Sequence, residues 1–387
     1  MKPYNTPVYL DYNATTPVDK RVLEKMYPYF SGKFGNAASK THAYGWVADA
    51  AVEKARKQIA ALLNADASEI SFTSGSTEGI NLILRGVAGL YQSKGKHIIT
   101  CATEHKAVLD TCADLEKQGF EITYLPVDKN GLIDLKTLEN AIRTDTILIA
   151  IMWANNETGV IQDMKAIAEM AHRHKVILFS DATQAAGKIK MDIQETKVDA
   201  LCLSAHKFYG PKGVGAIYLR RRDPRVKLQA QITGGGHEKG LRSGTLNVPG
   251  IVGMGEAAKW AAKEYKDRNL YWGNLSAFFL ENLSRKLKGW HVNGDFEKRI
   301  NNTLNLRFEG IKSERLIKLL AKDLACSTGS ACTSAIMQPS HVLTAMGLSD
   351  TEADASLRLS MGKDTTQEEM EFVLEVLSRA VEKLRAL

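Results

Sequence analysis

No stretch of this sequence is apolar for long enough to span a membrane. The longest unbroken run, Ile147 to Ala154, is far short of the ~18 residues a spanning helix needs, so no membrane segment is expected. A secretory leader is missing as well. The first residues, MKPYNTPVYLDYNATTP, place Pro, Asp and Asn where a signal would carry an apolar core, and a cytoplasmic location is the expectation. Cysteine is sparse, five residues in 387 with no Cys-x-x-Cys pair, which argues against a disulfide framework and against a metal site. The odd count leaves at least one thiol free for chemistry. Neither sign of charge dominates: 51 Lys and Arg against 44 Asp and Glu leave a formal net charge of +7, spread along the chain apart from Arg220-Arg221-Arg222. That balance favours a small anionic ligand over nucleic acid.

What is present is an ordinary globular mixture, 44% hydrophobic and 25% charged, without internal repeats or low-complexity tracts. At roughly 150 residues per domain, a chain of 387 residues predicts two or three domains. Apolar residues Val47, Ala51, Ala55, Ile59 and Leu62 recur at helical spacing, predicting an amphipathic helix over 47–63. Short apolar runs follow, EISFTS, HIIT, FEITYL, TILIAIMW, VILFS, DALCLS and VGAIYL, separated by helical segments such as 106–118 and 163–174. Strands alternating with helices predict an α/β fold with a mostly parallel sheet, and runs apolar throughout predict strands covered on both faces. Past Pro249 a long helical stretch, roughly 250–288, is expected to bridge two lobes. The remainder, with TLNLRF, a helix near 313–324, SLRLS and a last helix opened by Thr365 or Thr366 with Glu three positions on, reads as a smaller α+β domain.

Ligands of open α/β sheets sit beyond the carboxyl ends of the strands, and five of those ends are reactive. They read Ser74-Gly75-Ser76-Thr77, Glu104-His105, Asn155-Asn156-Glu157, Asp181-Ala-Thr-Gln184 and Ser204-Ala-His206-Lys207. The Gly75-Ser76-Thr77 turn opens onto a helix expected to start near Glu78, a placement that suits phosphate but equally suits a plain cap. Lys207 follows a buried strand, where burial makes an amine a nucleophile, although an isolated loop Lys is usually a surface cation. Asp181 is placed to pair with a cationic ring nitrogen or merely to cap a turn. His105 is placed to stack on a flat ring, to carry a proton, or only to cap a helix. Cys332 lies in STGSACTSAIMQPS, a polar stretch without periodicity, whereas Cys101, Cys112 and Cys202 lie within strand or helix patterns and read as inert buried thiols. Gly210-Pro-Lys-Gly213-Val-Gly215 lacks the spacing of a nucleotide-binding P-loop.

An anion cradle, a carboxylate, a ring-facing His and an amine are together what pyridoxal phosphate requires. With YLDYNATTP, FTSGSTE, TEHKAVLDTC, NNETG, DATQ, SAHKFYGPKG, GGGHEKGLRSGT, TGSACTS and LRLSMG, the chain resembles the cysteine desulfurases over nearly its whole length. These are fold-type I pyridoxal phosphate enzymes of the class V aminotransferase superfamily, and the resemblance is to the branch that supplies sulfur for iron–sulfur clusters and tRNA thiolation. It implies a large cofactor-binding domain over 17–258 and a small domain over 1–16 and 259–387 that carries the catalytic cysteine. It also implies that Lys207 bonds the cofactor, Asp181 pairs with its ring nitrogen, Gln184 lies near its ring hydroxyl and His105 stacks on it and moves protons. Ser76, Thr77, Ser204 and His206 would hold the phosphate, joined by Thr245 of a second subunit in a homodimer. Asn156 and Arg358 would hold the substrate L-cysteine, Arg358 through its α-carboxylate, and Cys332 would take the sulfur as a persulfide, on a loop of the long type.

Two departures from the family accompany this. The chain stops at Leu387, soon after the last expected helix, where relatives continue into a tail that docks the cluster scaffold. Cys326 stands six residues before Cys332, where the family carries a small residue without a thiol. It follows the apolar pattern LIKLLAKDLA, which favours a packed, structural thiol over a relay or disulfide partner of Cys332. The rivals to this reading are a selenocysteine lyase or another class V enzyme, which need everything but Cys332, and a non-catalytic partner of the same fold.

Overall fold

The computed structural model describes residues 7–328 and 339–386. Its strands, in chain order, are β1 (Val8–Tyr9), β2 (Ile70–Thr73), β3 (His97–Cys101), β4 (Glu121–Leu125), β5 (Thr146–Ala150), β6 (Ile177–Asp181), β7 (Ala200–Ser204), β8 (Gly215–Leu219), β9 (Trp290–Val292), β10 (Thr303–Phe308), β11 (Leu324–Ala325) and β12 (Ser356–Ser360). Seven of them form one sheet in the order β2-β8-β7-β6-β5-β3-β4. Only β8 runs against its neighbours, so the carboxyl ends of the other six strands share one edge. Every residue of β3, β5, β6 and β7 is buried, as runs without polar alternation predict for strands covered on both faces. The strand order reverses between β3 and β5, and the crevice that such a reversal leaves is where ligands of this architecture bind.

Helix boundaries differ from the sequence expectation where the cap is not a usual one. The helix expected over 47–63 begins at Ala43, because the ring of His42 accepts from the Gly45 N–H, while exposed Tyr44 and Trp46 hide the apolar period in its first turn. The helix expected near Glu78 starts two residues earlier and runs Ser76–Tyr91, with Gly75 as a cap that offers no side chain. The segment expected as one helix over 313–324 ends at Leu320. Its last residues instead pair as β11 with β1, a parallel partner 316 residues away that no local pattern reveals.

A second sheet, β12-β10-β9, is antiparallel and packs with the helices Ser313–Leu320 and Gln367–Arg385. Thr366 and Glu369 form the expected capping box of the last helix. The helix Val248–Lys286, about 58 Å long at 1.5 Å per residue, ties the two sheets together. Ile251, Met254, Ala257, Ala258 and Ala261 pack into the core of the large sheet, and Trp272, Leu275, Phe279 and Leu283 into that of the small one. Pro249 sits in its first turn, where the missing N–H has no helical acceptor to lose. Among the described residues no helix is long and apolar enough to cross a membrane, and no cluster of His, Cys, Asp and Glu is arranged to hold a metal.

Candidate active site

A cavity of about 570 Å³ opens at the carboxyl edge of the large sheet. Ser76, Thr77, His105, Asn156, Asp181, Gln184, Ser204, His206, Lys207 and Arg358 all line it, although they come from six strand ends and connections. At one end is the N-terminus of the helix Ser76–Tyr91, whose first-turn N–H groups have no intrahelical acceptor and face an anion favourably. Ser204, at the end of β7, lies beside Gly75 at this end, and His206 lines the same cavity. The loop can lie this near the sheet because β8 begins with Gly215, where a Cβ would come within 2.6 Å of the Gly75 backbone.

Asp181 ends β6, only 5% exposed, and accepts from the Thr183 N–H at 2.9 Å, the Thr183 hydroxyl and the Cys202 thiol at 3.5 Å. Those bonds hold a charge-bearing group against the cavity wall. His105 caps the helix Lys106–Glu116: its Nδ1 accepts from the Ala107 N–H at 3.1 Å, so the neutral ring carries its proton on Nε2. Surrounding protein lowers the His105 pKa, with Asp181 opposing the shift and Lys207 adding to it. The capping and functional readings of His105 are thus compatible, one nitrogen serving each. His206 is held by Thr15 at 3.1 Å, and burial, helped by Lys207 and Lys212, brings its pKa down to about 4, so it is neutral at pH 7.

Lys207 donates to the carbonyls of Asn13 and Ala14, both at 2.7 Å. Burial, reinforced by Arg358 and opposed by Asp181 and Asp11, brings its amine pKa down to about 8. An amine is nucleophilic only when unprotonated, so its reactivity rises with pH and levels off above that value instead of climbing into the usual lysine range. Competitive acetylation of the cofactor-free protein, followed by peptide mapping, is expected to show a Lys207 midpoint near pH 8. A midpoint above pH 10, the range of an ordinary lysine, would contradict the geometry.

Across the cavity, Arg358 projects from β12, donating to Asp11 at 2.6 Å and to the Asn156 carbonyl at 3.0 Å. Its Nε is buried and finds no partner among the described residues. That nitrogen has almost no open surface, so what Arg358 offers the cavity it lines is the positive charge of its guanidinium, a match for a carboxylate.

The structure also brings in residues that sequence reasoning passed over. Asp11 holds Arg358, and Asn13 links the turn after β6, β10 and the loop after β5. Thr183 joins Asp181 to the Ser76 hydroxyl, the latter at 2.5 Å. Asp11 and Asn13 lie in YLDYNATTP and Thr183 in DATQ, so those motifs were visible while the contacts were not. Thr245 is exposed and does not line the cavity of its own chain. Cys332 lies outside the described residues. Cys101, Cys112 and Cys202 are buried, and burial holds the first two thiols up at about 12. A further cavity, of about 610 Å³, lies at the opposite end of the sheet and is lined by Arg221, Arg222 and Arg225 with Asp66, Glu69 and Asp223, without any of the groups described above.

The donor set fits pyridoxal phosphate. A helix N-terminus with hydroxyls suits its phosphate, a buried carboxylate its ring nitrogen and a lowered-pKa amine its aldehyde. Comparison with known proteins decides the family. Residues 8–373 match the family model described as Aminotransferase class-V. The cysteine desulfurase IscS of Neisseria meningitidis serogroup C is 55% identical over 382 residues, covering 99% of this chain and 94% of the relative. This chain belongs to the cysteine desulfurases of the class V aminotransferase family. The cysteine desulfurase IscS of Vibrio cholerae serotype O1 is 53% identical to it, covering 98% of this chain and 94% of that one. Among solved structures, a NifS-like protein superposes with a TM-score of 0.90 at 38% identity, covering 99% of this chain and 100% of the other. A structure described as SspA in complex with cysteine gives 0.82 at 37% identity, covering 92% of this chain and 99% of its own. This cysteine desulfurase thus has the mainly parallel fold-type I architecture expected from its strand and helix alternation.

Proposed function

We propose that this chain converts L-cysteine into L-alanine and retains the sulfur as a persulfide on Cys332, using pyridoxal phosphate. The observation that carries the reading is the meeting, in one cavity, of a free helix N-terminus, the Asp181 carboxylate, the Lys207 amine and the Arg358 guanidinium. Ser76, Thr77, Ser204 and His206 would hold the phosphate, Asp181 the ring nitrogen, Gln184 the ring oxygen, and Lys207 would be the covalent anchor. When bound, the cofactor supplies an electron sink for charge developing at the substrate α-carbon.

The protein's own groups do the rest. Arg358 and Asn156 seat the amino acid by its carboxylate, Lys207 takes and returns the proton at the α-carbon, and His105 exchanges a proton through Nε2. The Cys332 thiolate attacks the substrate sulfur, so a sulfur–sulfur bond forms as the carbon–sulfur bond breaks. The electron pair left on carbon is protonated to give the alanine methyl group. The persulfide then passes to a sulfur-accepting scaffold or carrier, for cluster assembly or tRNA thiolation, in the cytoplasm. We assign residues 17–258 to the cofactor-binding domain and residues 1–16 with 259–387 to the small domain that brings Arg358 to the cavity and carries the catalytic cysteine. Incubating purified protein with L-cysteine should give equal amounts of alanine and of transferable sulfur. Pyruvate and ammonia in place of alanine would refute the assignment.

A second copy of this chain completes the site in this reading, with Thr245 reaching its neighbour's phosphate. The exposed aromatic side chains Tyr27, Phe30, Phe34, Tyr44 and Trp46 support it, since so many on consecutive segments suit a covered surface. Sedimentation is expected to show a dimer and Thr245→Ala to weaken cofactor retention. A fully active monomer with full cofactor occupancy would exclude the shared site.

Arg358→Lys is expected to lower kcat/KM for L-cysteine by about thirtyfold or more, on the order of 2 kcal/mol, because a point charge cannot serve Asp11, the Asn156 carbonyl and a carboxylate together. Steady-state alanine formation measures this. An unchanged kcat/KM would place the carboxylate elsewhere.

A further inference from the structure

Behind the cavity lies a lysine that the reaction does not use. Lys188 is 4% exposed and donates to the side-chain oxygens of Gln184 at 2.6 Å and Asn13 at 2.8 Å, with no carboxylate partner among the described residues. The chain reaches this position through Gly187, at φ +72°, where a Cβ would come within 3.0 Å of Phe208 and Ala261. Only glycine lets the backbone turn inward there.

The two contacts settle which way two amides face. A protonated lysine only donates and a carbonyl only accepts, so between Lys188 and the Asn13 carbonyl the Gln184 oxygen must face Lys188 and its Nε2 must face the other way. On that side Nε2 donates to the Asn13 carbonyl at 2.9 Å, and Gln184 lines the cavity with its second N–H still available. A flipped amide would set donors against Lys188 and an oxygen against the Asn13 carbonyl. Asn13 is oriented in the same manner: its Oδ1 goes to Lys188, and its Nδ2 donates to the Asn156 carbonyl at 3.2 Å and to Thr303 at 2.9 Å. Its backbone carbonyl receives Lys207 at 2.7 Å. One buried amine therefore stands behind the residues assigned to the ring oxygen, the covalent anchor and the substrate.

We propose that Lys188 is a positioning residue that turns the Gln184 amide N–H toward the cofactor's ring oxygen and holds Asn13 between Lys207 and Asn156. The inference rests on the proposed cofactor roles of Lys207 and Gln184. Burial, with the charges of Lys207 and Arg358 nearby, pulls the Lys188 pKa well below its ordinary value. A neutral amine keeps two N–H groups for its two acceptors, and the Asn13 carbonyl still requires a donor from Gln184, so the orientation survives deprotonation.

The test is a spectrophotometric pH titration of the visible band of the pyridoxal phosphate-loaded protein. A donor to the ring oxygen stabilises its negative charge, so losing that donor makes the neighbouring nitrogen hold its proton to higher pH. Gln184→Ala and Lys188→Met are each expected to raise the midpoint by about one pH unit, and the double variant no further than either alone. A Lys188→Met protein with the wild-type midpoint, beside a Gln184→Ala protein whose midpoint has moved, overturns the role of Lys188 and leaves the cofactor assignment standing. Borohydride reduction that places the cofactor on a lysine other than Lys207 overturns both. Should Lys188→Met not fold, the side-chain amide signal of Gln184 in selectively labelled wild-type protein carries the test. It is expected to shift when pyridoxal phosphate is added to the cofactor-free protein, and an unmoved signal overturns the proposal.

Discussion

The Lys207→Ala protein is expected to form no measurable alanine from L-cysteine, a loss of at least about a thousandfold, or about 4 kcal/mol in transition-state terms. Two functions disappear together in that variant. The covalent anchor for the cofactor goes, and so does the amine whose pKa, brought down to about 8, lets it exchange protons near neutrality. No neighbour can take over: Lys188 is committed to Gln184 and Asn13. The fold should survive, because the protein bonds lost among the described residues are to the carbonyls of Asn13 and Ala14 at the cavity wall, where water replaces the amine. Circular dichroism near the wild type and cofactor bound without covalent linkage would separate lost chemistry from lost structure. Turnover within tenfold of the wild type would mean that Lys207 is not the reacting amine.

The second large effect divides two thiols. Cys332→Ser is expected to abolish both persulfide and alanine while still binding L-cysteine, since a hydroxyl does not attack a thiol sulfur. Cys326→Ser should keep both products. Cys326 packs against the core beside the second sheet, and burial, with Asp11 adding to it, pushes its pKa up to about 12. At neutral pH it is a thiol, not a thiolate, and therefore a poor nucleophile. Replacing it puts a hydroxyl into a mostly apolar setting, so Cys326→Ser should lower stability by about 1–2 kcal/mol without changing the reaction. Mass spectrometry after cysteine treatment decides the matter. Extra sulfur on Cys326, or loss of transfer in Cys326→Ser, would give that residue a part in the chemistry.

Most of the candidate site was legible because strand ends announce themselves. An apolar run stops where the sheet stops, and the polar residues that follow must lie at its edge. Ser76, His105, Asp181 and Lys207 were each identifiable from that punctuation, and each alone was ambiguous. Direction was not legible in the same way. VGAIYL reads like any other buried run, yet as β8 it lies antiparallel between β2 and β7. The short pair β1 and β11 was missed, since two-residue strands carry no period.

By itself the sequence determined the alternation of strands and helices, the one long helix past Pro249, and the chemical types gathered at the strand ends. Those follow from local hydrophobic patterning, which is written within a dozen residues. Only the tertiary structure decided what those groups touch. It set Asp11 on Arg358 across 347 positions of sequence, and hung Lys207 from the backbone of residues 13 and 14. It also buried Lys188, a residue whose sequence neighbours predict nothing, behind Gln184. Such contacts depend on how two sheets close round a cavity, and hydrogen bonds between distant segments leave no periodic trace in either segment.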